Sequence, residues 1–340
     1  MLLTVHMSPV EMELLPLLCL CLLSVSGTTF ADGNKPKVIK VTEGSDVILP
    51  CSTSTEEDVT SERIEWNKDV EKQVFLYEGE LLLSGQDQQF TDCVSLYTSE
   101  LQHGNASIEI KNTKLSDSGD YTCKIGKLQT NQTFPIQLLV VPLIIKVKEG
   151  NSVILPCSPR TKEDVKEDHF EWKKDGQKDV LVYKGMEDGT RHQQFRGRVS
   201  LFKDELKNGN ASIKIRTTTE ADSGNYTCEF PDLHETLHIL LVVGAVSKPS
   251  FSKVNNTKDG KQLQCEVSGA SPGFKLNISW QDGSKNNLTN NEIQNTERGR
   301  SYFLDTTVTK SGTYYCVATM EEINHQVSNK IDVDVPDGPY

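Results

Sequence analysis

The chain has 340 residues, and 36 Lys and Arg against 48 Asp and Glu give it a net charge of −12 at pH 7. This length predicts two or three domains, while 36% apolar and 25% charged residues argue against a disordered tail or a membrane bundle. A nucleic-acid-binding protein is also disfavoured, because such proteins need a basic surface to displace counterions from phosphate.

The first predicted element is an apolar run over residues 14–25, followed by small residues. A dozen apolar residues suit the hydrophobic region of a secretory signal peptide and fall short of the roughly 20 that a membrane-spanning helix needs. Residues 1–31 are therefore predicted to be a signal peptide, with a buried N-terminal helix as the alternative. Of the nine cysteines, Cys19 and Cys21 would leave with it, and seven would remain in an oxidising compartment.

Seven Asn-x-Ser/Thr sequons agree with export, and several of them are predicted to carry glycans. They begin at Asn105, Asn131, Asn210, Asn225, Asn255, Asn277 and Asn287. A late apolar stretch at 237–246 is too short to span a membrane. The chain is thus predicted to be extracellular, either secreted as given or held on the external side of the plasma membrane if an anchor follows Tyr340.

An internal repeat organises the rest of the chain. Residues 43–51 recur as residues 149–157, and each of three copies places a Trp 15 residues after a Cys and a Tyr two residues before a second Cys. These anchors are Cys51, Trp66, Tyr121 and Cys123, then Cys157, Trp172, Tyr226 and Cys228, and finally Cys265, Trp280, Tyr314 and Cys316. Around them, apolar and polar residues alternate over short stretches such as 107–111, which predicts half-buried antiparallel strands.

This constellation resembles the immunoglobulin fold, in which a Trp on strand C packs against a disulfide between strands B and F. The resemblance implies an all-β chain of three tandem immunoglobulin-like sandwiches, with disulfides Cys51–Cys123, Cys157–Cys228 and Cys265–Cys316. Long Trp-to-Cys intervals make the first two copies resemble variable-type domains, and the shorter interval makes the third resemble a constant-type domain. The predicted domains are residues 32–141, 142–243 and 244–340.

Motifs for catalysis or metal binding do not emerge from the sequence. The seven histidines are scattered, and the chain has no His-Glu-x-x-His zinc helix, no paired Cys-x-x-Cys site and no phosphate-binding glycine loop. Asp-Gly pairs at Asp175, Asp188, Asp259 and Asp282 are typical of turns. The acidic residues 56–58 are predicted to form a solvated loop, with a share in partner contact as the alternative. The sequence predicts no catalytic residue, no metal site, no cofactor and no small-molecule substrate.

Three motifs indicate which group of immunoglobulin-like proteins the chain resembles. They are Glu-Gly-x-x-Val-Ile-Leu-Pro-Cys on strand B, residues 170–175 on strand C and residues 195–199 on strand D. Together they look like the butyrophilin-like and T-cell costimulatory-ligand group, over nearly the whole mature chain. This implies a ligand that binds a lymphocyte receptor and regulates T-cell activation. The chain departs from the group in having two variable-type copies where one is usual. The alternatives are a homophilic or heterophilic adhesion module and a soluble decoy receptor.

The resemblance also implies a partner face, because variable-type domains usually bind through the G-F-C-C′ sheet. Pleat alternation predicts that in the first copy this face carries Glu65, Asn67, Thr122 and Lys124, and Phe75 and Tyr77 on the predicted C′ strand are assigned to the same face. The two aromatic residues are predicted to anchor a partner, with core or edge packing as the alternative. In the second copy Asn225 begins a sequon where the first copy has Asp120. A glycan on Asn225 is expected to shield the second copy and leave the first as the recognition domain.

A last asymmetry concerns the ion pair that variable-type domains usually carry across the bottom of the sandwich. The second copy keeps Arg198 and Asp222, but the first keeps only Asp117 and has Cys93 at the arginine position. Asp117 is expected to use a backbone N–H or Arg63 instead, or to stay in contact with water, which would make the first copy less stable. Cys93 is also the cysteine left without a partner. It is predicted to be either a buried or half-buried free thiol or an interchain disulfide in a homodimer.

Overall fold

The computed structural model describes residues 36–335 apart from 55, 80, 83–84, 127–132, 162, 186, 190–191, 259, 289–292 and 296–300. The predicted signal peptide, residues 1–31, and the sequon at Asn131 lie outside the described residues. The rest consists of strands and short 3-10 turns arranged as three β-sandwiches in series, which we call domains 1, 2 and 3. This confirms the predicted fold class.

The described residues of domain 1 form nine strands. These are β1 (Lys37–Thr42), β2 (Val47–Leu49), β3 (Arg63–Lys68), β4 (Lys72–Glu78), β5 (Leu81–Leu82), β6 (Val94–Leu96), β7 (Ile108–Ile110), β8 (Gly119–Ile125) and β9 (Thr133–Val141), with 3-10 turns at Gln88–Phe90, Thr98–His103 and Leu115–Asp117. One sheet has the order β1-β9-β8-β3-β4-β5 and the other β2-β7-β6. Strand β1 runs parallel to β9, while the other pairs are antiparallel.

Domain 2 repeats this arrangement strand for strand. Its strands are β10 (Leu143–Lys148), β11 (Val153–Leu155), β12 (His169–Lys174), β13 (Lys178–Lys184), β14 (Glu187–Asp188), β15 (Val199–Leu201), β16 (Ile213–Ile215), β17 (Gly224–Phe230) and β18 (Glu235–Gly244), with 3-10 turns at Gln193–Phe195, Lys203–Asn208, Glu220–Asp222 and Pro231–Leu233. The sheets have the orders β10-β18-β17-β12-β13-β14 and β11-β16-β15. The extra strands beside β12 and β3 are those that distinguish variable-type domains.

Domain 3 has a different distribution of strands. They are β19 (Ser250–Thr257), β20 (Gly260–Ser268), β21 (Leu276–Gln281), β22 (Gln294–Asn295), β23 (Ser301–Val308), β24 (Gly312–Met320) and β25 (His325–Val333), with a 3-10 turn at Glu321–Ile323. Among the described residues they form a four-stranded sheet, β19-β20-β23-β22, and a three-stranded sheet, β21-β24-β25. Four strands against three is the arrangement of constant-type domains.

Each sandwich is closed at its centre by one disulfide and one buried tryptophan. The bridges are Cys51–Cys123, Cys157–Cys228 and Cys265–Cys316, as the resemblance implies. The indole Nε1 groups of Trp66, Trp172 and Trp280 donate to backbone carbonyl oxygens at 3.0, 2.9 and 3.0 Å, so these buried donors are satisfied. Each bridge closes a loop of 72, 71 or 51 residues, which stabilises the fold by roughly 4 kcal/mol in the chain-entropy model.

The first two domains are joined almost without a linker. Strand β9 ends at Val141 and β10 begins at Leu143, so only Pro142 lies between them. Strand β18 ends at Gly244, and five residues separate it from β19. The boundaries predicted after residues 141 and 243 fall within one residue of these strand ends.

Candidate partner-binding face

The candidate face lies on the larger sheet of domain 1. Strands β3 and β8 alternate between the core and the outer surface, so four of the predicted residues share the outer surface. Glu65 lies opposite Lys124, and Asn67 lies opposite Thr122 on the neighbouring strand. Lys124 is exposed and the other three are half-buried. We call Glu65, Asn67, Thr122 and Lys124 the partner face of domain 1.

The two aromatic residues predicted to anchor a partner lie elsewhere. Phe75 and Tyr77 are 8% and 4% exposed and belong to the core of domain 1, so the prediction that they are surface anchors is wrong. The register of β4 explains this, since it places Tyr77 opposite Ile64 and Phe75 opposite Trp66, which are core residues. Directly opposed side chains in antiparallel strands point to the same side of the sheet. Leu76, between them, points outward and is half-buried.

Charged groups at one end of the partner face are only loosely held. Arg63 Nη2 lies 2.6 Å from Glu65 Oε1, and Arg63 Nη1 lies 3.5 Å from Glu78 Oε2. Arg63 and Glu78 are about half exposed, and ion pairs of this kind contribute only about 0.2–1 kcal/mol. Among the described residues, no carboxylate pairs with Lys124. These groups can therefore exchange their contacts for those of a partner at little cost.

The corresponding face of domain 2 is internally paired. Lys173 Nζ lies 3.0 Å from Glu171 Oε2 and 2.7 Å from Glu229 Oε2, and His169 Nε2 lies 2.8 Å from Glu171 Oε1. The hydrogen bond from Lys173 lowers the pKa of Glu171, which keeps the carboxylate ionised. Asn225 is exposed on this sheet, on β17. Matched positions in the two domains thus carry different surfaces.

The asparagines of the six described sequons differ in exposure. Asn225, Asn255, Asn277 and Asn287 are exposed, while Asn105 and Asn210 are half-buried. The amide oxygens of the last two accept a backbone hydrogen bond from the residue two positions on, at 3.1 and 3.0 Å.

The buried carboxylates at the bottom of the first two sandwiches use different arginines. Arg198 makes a bidentate pair with Asp222, at 2.7 and 2.8 Å, as the sequence predicts. Asp117 accepts from a backbone N–H, as expected, but its arginine is Arg160 of domain 2, with Nη2 at 2.6 Å from Oδ2. Arg63 is not a partner, because it lies on the partner-face side of the sheet with Glu65.

Domain 2 is expected to lose stability in acid as Asp222 becomes protonated. Burial opposes ionisation, but hydrogen bonds from Arg198, Gln194 and the Thr219 N–H hold the pKa of Asp222 below its usual value of 3.8. Since the folded-state pKa is the lower one, the stabilisation is present above about pH 4 and is lost as the pH falls through the folded-state pKa. The loss is measured by comparing the amide protection factors of β12 and β17, which are corrected for the intrinsic exchange rate, at pH 6 and pH 3. An Asp222→Asn chain with an equally steep acid dependence would contradict it.

Cys93 is a free thiol with 2% of its surface exposed. Of the two sequence alternatives, the structure supports the buried thiol, because an interchain disulfide needs an accessible sulfur. Burial raises the pKa of the Cys93 thiol despite the neighbouring Arg160 guanidinium. The neutral, shielded form is a poor nucleophile.

Residues 269–273 match the Gly-x-Ser-x-Gly pattern of hydrolase nucleophile elbows, which sequence reasoning overlooked. The structure places them in a loop between β20 and β21 rather than in the strand-to-helix turn that such an elbow requires. The Ser271 hydroxyl is buried, donates to Glu220 at 2.5 Å and accepts from the Ala245 N–H at 2.9 Å. The hydrogen bond to Glu220 therefore links domain 3 to domain 2. Within the described ranges, no group of three His, Cys, Asp or Glu side chains is placed to hold a metal ion.

Family models match nearly all of the described chain. The immunoglobulin V-set domain model matches residues 34–141 and 140–239, and an immunoglobulin domain model matches residues 245–335. The described part of the chain contains no helix long and apolar enough to cross a membrane. Disulfide-stabilised domains of this kind are typical of extracellular chains.

Curated relatives of two kinds are similar to the chain. Mouse butyrophilin-like protein 1 is 28% identical over 45% of this chain and 31% of its own length, and rat V-set domain-containing T-cell activation inhibitor 1 is 27% identical over 37% and 46%. Mouse junctional adhesion molecule-like protein is 25% identical over 56% of this chain and 54% of its own length. The chain thus spans between a third and about half of the length of these relatives.

Proposed function

Since the chain belongs to the immunoglobulin superfamily, with two V-set domains followed by a third immunoglobulin domain, we propose that it is an extracellular ligand that regulates T-cell activation. In this proposal the partner face of domain 1 binds a protein receptor on T lymphocytes. The ligand acts either in secreted form or on the external side of the plasma membrane.

The observation that carries the proposal is the contrast between two matched faces. On domain 1, the side chains of Asn67, Thr122 and Lys124 make no hydrogen bond or ion pair with other described residues. On domain 2, Lys173 is held between two glutamates and Asn225 begins a sequon. A partner docking on domain 2 would have to break internal ion pairs and displace a glycan. Docking on domain 1 would remove water from these three polar side chains, and the receptor would supply their new hydrogen-bond or ion-pair partners.

Two relatives support the T-cell part of the proposal. One is named a T-cell activation inhibitor and the other is butyrophilin-like, and both match less than half of this chain. The receptor is expected to present a charged and polar surface, because the partner face offers a lysine, a glutamate and two uncharged polar groups.

A second candidate function is adhesion, which the match to the junctional adhesion molecule-like relative favours. Beads coated with residues 32–340 distinguish the two functions. Staining of activated T cells by dispersed beads supports the ligand proposal. Beads that clump with one another and leave T cells unstained would contradict it and favour homophilic adhesion.

Glycosylation of Asn225 is expected, because the residue is exposed and starts an Asn-Tyr-Thr sequon. Peptide mass spectrometry of the chain secreted from mammalian cells measures its occupancy. An Asn225→Gln chain is expected to bind T cells as the wild type does, since recognition is assigned to domain 1. An unoccupied Asn225 would remove the shielding argument.

A further inference from the structure

We infer that domain 1 completes its core with an arginine supplied by domain 2, so that the two domains form one cooperative unit. The residue is Arg160, which follows the first cysteine of domain 2 by three positions. It occupies the place that Arg198 holds within domain 2 and that Cys93 leaves open in domain 1. This inference is independent of the proposed function.

The two arginines share two kinds of contact, one with the buried carboxylate and one with a glutamine carbonyl, although they come from different positions in the chain. In domain 2, Arg198 pairs with Asp222 and its Nη2 donates to the Gln194 carbonyl at 2.8 Å. In domain 1, Arg160 Nη2 pairs with Asp117 at 2.6 Å, and its Nη1 donates to the carbonyl of Gln89 at 3.3 Å.

The two glutamines are also equivalent, since each occupies the middle of a Gln-Gln-Phe 3-10 turn. The Gln89 amide donates to Asp117 at 2.8 Å and the Gln194 amide donates to Asp222 at 2.9 Å. The carboxylate, the glutamine and the turn are therefore preserved in domain 1, and only the source of the guanidinium differs.

Cys93 makes room for the incoming side chain. Its Sγ lies 2.7 Å from Arg160 Nη1, and both side chains are largely buried. An arginine at position 93 would point toward the same carboxylate and compete for the same volume. The small side chain is therefore the complement of the arginine from domain 2, which gives the odd cysteine a physical role that does not depend on its reactivity.

Further buried contacts between the domains surround Arg160. Lys114 Nζ of domain 1 lies 3.3 Å from Glu235 Oε2 of domain 2, and the same oxygen accepts from the Arg160 N–H at 2.9 Å. On the other side, Glu43 of domain 1 is buried and accepts from the His238 N–H at 2.8 Å.

Separating the domains would leave Asp117, Lys114 and Glu43 without these partners. Removing one member of a buried ion pair is strongly destabilising, because the remaining charge keeps its desolvation penalty. With Pro142 as the only residue between β9 and β10, the joint cannot open without disturbing these contacts. Domain 1 is therefore expected to be held in a fixed orientation on domain 2.

The test compares Arg160→Ala with Arg196→Ala, an exposed arginine of domain 2, in the chain from residue 32 to 340. Labelling of Cys93 by a maleimide reports opening of the joint, and amide exchange in β3 and β8 reports the stability of domain 1. We expect Arg160→Ala to raise the labelling rate by at least about tenfold and to accelerate exchange in domain 1. Rates equal to those of Arg196→Ala would overturn the inference.

A rescue variant keeps the test decisive even where Arg160→Ala folds poorly. Cys93→Arg in the Arg160→Ala background restores an arginine within domain 1, at the position that Arg198 holds in domain 2. We expect it to recover the yield and the slow amide exchange of the wild type, while Cys93→Ala in the same background does not recover them. Equal recovery by both variants would overturn the inference.

Discussion

Trp172→Ala is expected to lower the free energy of unfolding of domain 2 by about 3–5 kcal/mol and to destabilise domain 1 with it. The side chain is fully buried, and its Nε1 donates to the Ala211 carbonyl at 2.9 Å. Its removal leaves a cavity beside the Cys157–Cys228 bridge and an unpaired carbonyl. Because Arg160 follows Cys157 closely, disorder in this core also loosens the contact with Asp117.

Trp280→Ala in domain 3 is the matched control. It removes an equally buried tryptophan, whose Nε1 donates to the Leu304 carbonyl at 3.0 Å, and no contact of Arg160 depends on it. We expect a similar loss of stability confined to domain 3. Amide exchange followed strand by strand separates the domains. Exchange in β3 and β8 that stays at the wild-type rate in Trp172→Ala would show that the first two domains unfold independently.

The anchors of the fold could be predicted because each is set by local spacing. A Cys, a Trp 15 residues later and a Tyr two residues before the second Cys define strands that must meet in one core. The Arg198–Asp222 pair could be predicted for the same reason, since both partners lie within one copy of the repeat.

The contacts that cross from one domain to another could not be predicted in this way. The substitution of Cys93 for an arginine indicates that Asp117 needs another donor, yet nothing in the local pattern points to Arg160, which lies in the next domain. Only the packing of domain 1 on domain 2 identifies it. The sequence signal of the missing donor is the cysteine at position 93, where domain 2 has Arg198.

The outward orientation of side chains was predicted correctly where strands are regular and incorrectly where they are not. Glu65 and Lys124 follow simple alternation around core residues of β3 and β8. On β4 the bulge after Trp66 allows two consecutive residues, Val74 and Phe75, to be buried. A bulge shifts the side chains that follow it, and its position has no clear signature in this sequence.

A glycan placed on domain 1 is expected to weaken receptor binding at least about tenfold. Asp120→Asn creates the sequence Asn-Tyr-Thr at the position that matches Asn225 in domain 2. Asp120 is exposed on β8, two residues before Thr122, and among the described residues its carboxylate has only one long contact, at 3.5 Å from the Gln137 amide nitrogen. The substitution is therefore expected to leave the fold intact while the sugar covers the partner face.

The most direct measurement is the binding of this Asp120→Asn chain to activated T cells before and after enzymatic release of its glycans. Release by a peptide-N-glycosidase converts the carrier asparagine to aspartate, which regenerates the wild-type residue, and wild-type chain treated in the same way is the control. We expect binding to fall at least about tenfold with the glycan present and to return to the control level after its release. A glycan-bearing chain that binds T cells as tightly as the wild type would contradict the assignment of recognition to domain 1.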